Sequence, residues 1–208
     1  MTAGQAAADL SATVRAARGG DEAAFRLLYR EVQPGLLRYL RGLVGGDDAE
    51  DLASETWLQI ARDIRTFRDD GAGGFSGWAA TIARHRALDH VRRMQRRPPP
   101  GLPLEVLVDL PDRNDTAEQA ITHAATNATV ELIATLPKDQ AEAVLLRVVM
   151  GLDAQAVAAV MGKRPGAVRT AVWRGLRKLA DRFDDTAGRQ VAATGVTRAG
   201  GPAPKSSS

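Results

Sequence analysis

Apolar positions recur along this chain at intervals of three and four, the spacing of one-sided helices, and predict an all-α fold. Val157, Val160 and Met161 fall at i, i+3 and i+4, and Val168, Val172 and Leu176 at i, i+4 and i+8. Between these two stripes lies Gly162-Lys163-Arg164-Pro165-Gly166. Gly162 suits the left-handed residue that ends a helix, and Pro165 suits the first turn of the next, where its missing N–H costs nothing. The pair reads as a helix-turn-helix.

The same period organises the rest. Asp21 is a good N-cap for a helix carrying Phe25, Leu28, Tyr29, Val32, Leu36, Leu37, Leu40 and Leu43, with a kink expected at Pro34-Gly35 and a stop at Gly45-Gly46. A second helix, from Asp47 or Asp48, has the stripe Leu52, Thr56, Ile60 and Ile64, joined by Leu58 and Phe67. After the glycine-containing loop Arg68–Gly74, a third presents Trp78, Ile82, Leu88 and Val91 as its inner stripe and ends at Pro98-Pro99-Pro100. Residues 98–116 show no sustained period and read as a Pro-rich linker, able to span about 60–65 Å at roughly 3.3–3.4 Å per residue. Beyond it a helix is expected over 117–136, and Pro137 opens another carrying Val144, Leu145, Val148 and Val149.

Two small helical domains, 21–97 and 117–183, are therefore expected on either side of a flexible linker. Residues 1–20 are expected to be flexible and fraying, with weak helicity over Asp9–Arg18, and 184–208 to form a disordered tail.

Charge changes this picture from architecture to chemistry. The net charge is only +3, but the sequence pI is near 9.7 and the bases are segregated. Between Lys163 and Arg182 stand Lys163, Arg164, Arg169, Arg174, Arg177, Lys178 and Arg182 against the single acid Asp181, while the partner helix carries no base. A basic second helix is what a major groove admits. Alone, a charge run is more often a solvated face; the helices, the glycine turn and the proline together point to DNA. Trp173 departs from the apolar stripe and can be exposed, although partial burial is commoner for an aromatic.

The third helix holds a second basic patch, Arg84, Arg86, Arg92, Arg93, Arg96 and Arg97 against Asp89. Phe75 and Trp78, beside the loop, can stack on unpaired bases or fill the core; for Trp78 the core is the better reading. The second helix instead begins with Asp48, Glu50, Asp51 and Glu55, which complement its dipole and form an acidic face for a basic partner.

No catalytic residue, metal site or cofactor is expected: paired carboxylates lack an accompanying nucleophile, His85 and His90 are a poor metal pair, and no phosphate-cradling glycine motif occurs. With no cysteine, disulfides, thiolate metal sites and thiol sensing are excluded. The chain has no apolar run of membrane-spanning length and no signal-peptide pattern, so direct membrane insertion is not expected and a cytoplasmic location is.

The words DAEDLASETW, FSGWAATIARHRALDHVRR, LPKDQAEAVLLRVVMGL and GAVRTAVWRGLRKL, in that order around a Pro-rich gap, resemble an extracytoplasmic-function type of bacterial RNA polymerase sigma factor. The resemblance covers about Asp21–Arg97 and Ala117–Asp181, as sigma region 2 and sigma region 4. It departs from the commonest pattern at Ser54, His85, Ala171 and Leu176, which bears on promoter sequence more than on fold.

The resemblance implies that Asp48, Glu50, Asp51, Leu52, Glu55 and Trp57 dock on core RNA polymerase, whose beta and beta-prime subunits are the expected partners. Promoter DNA is the other. The loop Arg68–Gly74 and Phe75 would hold a flipped base of the minus-10 element, with Arg84, His85, Arg86, Asp89, Arg92 and Arg93 on its backbone or melted strand. The minus-35 element would be read by Arg169, Thr170 and Arg174, with Lys163, Arg164, Arg177 and Lys178 on phosphates. An anti-sigma protein covering these faces is also implied. The alternative is a stand-alone repressor or activator using the helix-turn-helix alone, which predicts a symmetric operator and binding without polymerase.

Overall fold

The computed structural model describes residues 3–69, 73–96 and 128–195, with side chains over 10–69, 73–96 and 128–182. Among these residues the secondary structure is entirely helical. Four helices precede the gap: α1 (Ala3–Arg18), α2 (Glu22–Val44), α3 (Gly46–Asp63), which tightens into a 3₁₀ turn over Ile64–Thr66, and α4 (Gly74–Arg96). Four follow: α5 (128–134), α6 (Lys138–Val144), which continues as a π-helical turn over Leu145–Val149, α7 (Ala154–Met161) and α8 (Pro165–Gly195). The linker 98–116 and the expected start of α5 at 117–127 lie outside the described residues, as do 70–72 of the loop and 196–208 of the tail.

Helix ends follow local chemistry. The Asp21 carboxylate accepts from the N–H groups of Ala23 and Ala24 at 2.8 and 3.0 Å, and Asp153 accepts from Gln155 and Ala156, both at 2.8 Å. Gly162 ends α7 at φ 64°, ψ 36°, the left-handed conformation that costs other residues a Cβ clash, and Pro165 opens α8. The helix-turn-helix is formed as its residues predict.

Two ends differ from expectation. The segment expected to fray over 1–20 contains α1, because Leu10, Val14 and Ala17 form an i, i+4, i+7 stripe that packs on α2, with Val14 and Ala17 buried. At the other terminus α8 runs through Gly195, so the tail expected to be disordered from 184 is helical over its first twelve residues, 184–195. No proline interrupts that stretch and Ala, Arg and Gln favour the helix.

The first bundle closes on α4 by its small residues. Its buried face is Phe75, Gly77, Ala79, Ala80, Ala83 and Ala87, whereas Trp78, Ile82, Leu88 and Val91, expected innermost, are only half-buried at the flanks. Alanines let α4 approach α2 and α3 closely, and the large side chains wrap the contact from either side. On α8 the buried stripe is Val168, Gly175 and Leu179, with Ala171 and Val172 half-buried; Leu176 is exposed. A Cβ on Gly175 would lie 2.8 Å from Val144 Cγ2 and 3.3 Å from Leu136 Cδ1, so α6 and α8 meet through this residue.

The two bundles also touch each other. Gly42 of α2 faces Leu145, where a Cβ would come within 2.5 Å of Cδ1, and Gly73 faces the Ala156 methyl of α7 at the same distance. Gly175→Val should therefore cost about 1–3 kcal/mol by overpacking. Gly166→Ala, with open space around it, should be neutral or stabilising by up to about 1 kcal/mol; urea denaturation of the two variants distinguishes them.

Candidate functional site

Three surfaces carry the charge segregation. The acidic one is the exposed side of α3. Asp51 is exposed, while Glu50 pairs with Arg41 at 3.0 Å, Asp48 with His90 at 3.0 Å and Glu55 with Arg86 at 3.5 Å. Leu58, one turn beyond Glu55, adds an exposed apolar side chain to this face.

Leu52 and Trp57, expected on the docking surface, are buried instead. Leu52 points into the core of the first bundle. Trp57 lies in an aromatic cluster with Phe25, Tyr29 and Phe75 at ring-centre distances of 4.8–6.3 Å, and its indole N–H donates to Gln33 Oε1 at 2.6 Å. Both lie on the inner stripe of α3, and apolar burial outweighs a surface role.

The second surface is the basic side of α4. His85, Arg92 and Arg93 are exposed, Asp89 is exposed and pairs with Arg92 at 3.1 Å, and Arg86 donates to Gln59 Oε1 at 2.9 Å. Arg86, Asp89, Arg92, Arg93 and Arg96 line one shallow groove, suited to a phosphate-bearing strand. Arg68 is exposed at the edge of the loop. Phe75 is not available to a base: it is buried against Phe67, Trp57 and Trp78, at 5.7–6.3 Å between ring centres. At the start of α4 it is turned inward, into the core of the first bundle.

Arg84 is held differently from its neighbours. Its Nε donates to Glu142 Oε1 of α6 at 2.5 Å, and the Tyr39 hydroxyl donates to the same oxygen at 3.2 Å. Tyr39 is fully buried, and the side chains of Arg84 and Glu142 keep only 20% and 11% exposure. Burial first, and then the Glu142 charge, hold the Tyr39 phenol well above its usual ionisation range. Neither Tyr39 nor Glu142 stands out in the sequence, where each is one residue of an amphipathic helix.

The third surface is the outward face of α8. Arg169, Thr170, Arg174, Arg177 and Lys178 are all exposed there; in the turn before it Arg164 is exposed and Lys163 is tied to Asp139 of α6 at 2.5 Å. Among these bases stands Trp173, 58% exposed, with the Arg177 guanidinium carbon 5.4 Å from its ring centre. The better reading for an aromatic, partial burial, does not hold here. No cluster of His, Asp or Glu among the described residues could hold a metal ion, and no described helix is long and apolar enough to cross a membrane.

Residues 28–97 match the sequence model of Sigma-70 region 2, and residues 126–179 that of Sigma-70, region 4. The chain belongs to the extracytoplasmic-function sigma factors of RNA polymerase. It is 35% identical over 178 residues to the sigma factor SigD of Mycobacterium tuberculosis, covering 83% of this chain and 82% of that one. It is also 35% identical over 180 residues to BldN of Streptomyces coelicolor, spanning 84% of this chain but 66% of that longer relative.

Two solved structures share the fold. CnrH in complex with the cytosolic domain of CnrY has a TM-score of 0.59 at 19% identity, over 83% of this chain and 96% of that one. RpoE of Bartonella quintana, in complex with the anti-sigma factor NepR, has a TM-score of 0.58 at 22% identity, over 77% and 96%. The region 2 bundle and the region 4 helix-turn-helix are thus the two halves of a sigma factor, and the stand-alone repressor is not favoured.

Tyr39→Phe tests the contact between regions. Because the folded state retains a phenolic proton that the unfolded chain releases near pH 10, this group contributes stability below about pH 10 that is lost as pH rises. The variant should be about 1 kcal/mol less stable at neutral pH and should lose less stability than wild type above about pH 10, in urea melts across that range.

Proposed function

We propose that this sigma factor is a dissociable initiation subunit, without catalysis of its own, that gives core RNA polymerase its promoter specificity and helps to melt the minus-10 element. The carrying observation is the segregation of charge onto three faces of two bundles. Asp51, Glu55 and the rest of the acidic side of α3 dock on core polymerase. Arg68, His85, Arg86, Arg92 and Arg93 meet the melted minus-10 strand, with the loop before α4 taking a flipped base. On α8, Arg169, Thr170 and Arg174 read minus-35 base edges while Lys163, Arg164, Arg177 and Lys178 meet phosphates.

Arg84 belongs to this reading in a particular way. A guanidinium four-fifths buried against Glu142 is not available to a phosphate, so use of Arg84 on the minus-10 strand requires region 4 to part from α4. Gly73, packed against Ala156, places the loop under the same condition. Binding to polymerase, which must present the two regions to separate DNA elements, supplies the separation. An anti-sigma protein is proposed as a further partner, supported by the partner-bound relatives of the same fold. Work on a promoter with polymerase implies the cytoplasm.

Asp51→Arg should abolish association with core polymerase in a pull-down while far-UV circular dichroism stays that of wild type; retained association removes α3 from the docking surface. Arg174→Ala should weaken use of the minus-35 element by about 1–3 kcal/mol in a base-dependent way, whereas Lys178→Ala should weaken binding evenly across promoters. Run-off transcription with mapped start sites reads both, and equal losses on every promoter would reassign Arg174 to the backbone.

A further inference from the structure

The outward face of α8 has an apolar centre that its charges do not explain. Counting 100° per residue from the buried Val168, the inward side is taken by Ala171, Val172, Gly175 and Leu179. The opposite side is centred on Gly166, Thr170, Trp173 and Arg177, with Arg169 and Arg174 flanking it. Trp173 is therefore not at an edge of the basic face but in its middle. Its indole is 58% exposed, and the neighbouring Leu176 is 45% exposed. An indole exposed in the middle of a basic face, with Leu176 beside it, offers apolar area to whatever ligand the charge attracts. Arg177 over the ring adds a cation without removing that exposure.

The charge around the ring limits what can cover it. Arg169, Arg174 and Arg177 surround it, and the nearest acid on the helix is Asp181. An occupant must be polyanionic and yet offer an apolar group. In the major groove the base edges present donors, acceptors and one apolar feature, the C5 methyl of thymine.

We propose that Trp173 is a specificity-determining residue of region 4 that packs its indole against a thymine methyl in the minus-35 element, between the bases contacted by Thr170 and Arg174. The inference rests on the reading of α8 as the minus-35 helix and names a base preference within it. Arg177 holds the ring in place and reaches past it to the backbone.

The test uses holoenzyme assembled from core polymerase and the full chain, on a promoter whose minus-35 element has first been mapped. Each thymine of that element is replaced in turn by deoxyuridine, which removes only the methyl group. Wild type should lose roughly 4-fold in promoter binding at one position, the scale of one buried methyl-sized group. Trp173→Ala should bind the parent promoter that much more weakly and be indifferent to deoxyuridine at that position, while its responses elsewhere stay those of wild type. Circular dichroism and unchanged core binding report that the variant is folded.

A deoxyuridine loss that persists undiminished in Trp173→Ala overturns the proposal, as does parent binding equal to wild type. Weakened association of Trp173→Ala with core polymerase in the absence of DNA also overturns it, by placing the ring against protein. Arg174→Ala separates the two levels. If it loses its minus-35 dependence while Trp173 shows no coupling to any methyl, the contact fails and the helix assignment stands. If neither variant alters minus-35 dependence, the assignment of α8 fails with it.

Discussion

A single carboxylate, Glu142, ties the two halves of this sigma factor together. It is buried on α6 and receives both of its cross-bundle donors, the Tyr39 hydroxyl and the Arg84 guanidinium, from region 2. An unpartnered carboxylate at that depth would cost several kcal/mol, so region 4 can pack here only in a register that brings both donors to one oxygen. Gly42 makes the approach possible by leaving room for Leu145. Ion pairs of this kind add little net free energy over an apolar substitute, whereas parting them leaves a buried charge uncompensated. The relative placement of the two basic surfaces in the free protein depends on it, because α6 and α7 come to rest against Arg84 and the loop before α4.

Much of the fold was legible because its helix signals are local. Asp21 and Asp153 as N-caps, Gly162 as the left-handed stop and Pro165 as the first residue of α8 each act within a few residues, and each does in the structure what its chemistry predicts. Burial was legible only where size and polarity agree. On α4 the alanines carry the contact and the tryptophan flanks it, which a search for large apolar residues inverts. The same weighting put Leu176 inside, where Gly175 belongs, and left α1 among the flexible segments although Leu10, Val14 and Ala17 give it a sound face.

The candidate surfaces divide along the same line. Exposed charges such as Asp51, Arg92, Arg169 and Arg174 could be placed from periodicity, since the opposite faces of their helices are apolar. Trp57 and Phe75 could not, because an aromatic at a family motif is equally suited to a surface and to a core, and the choice is made by neighbours distant in sequence. Glu142 was invisible for a related reason. Its partners lie 58 and 103 residues away, and nothing within α6 distinguishes it from a solvated acid.

Gly175 has a consequence that reaches across its own helix. With only a hydrogen between α8 and α6 at that point, the helix is seated at one rotation about its axis and cannot roll without driving a neighbouring side chain into Val144. Each residue of roll is about 100°, enough to exchange one outward side chain for another. On the proposed minus-35 reading of α8, its angular phase, and with it the order in which Arg169, Thr170, Trp173 and Arg174 would meet a groove, is set on the opposite side of the helix. The outward residues would then read promoter sequence in a frame held by an absent methyl group.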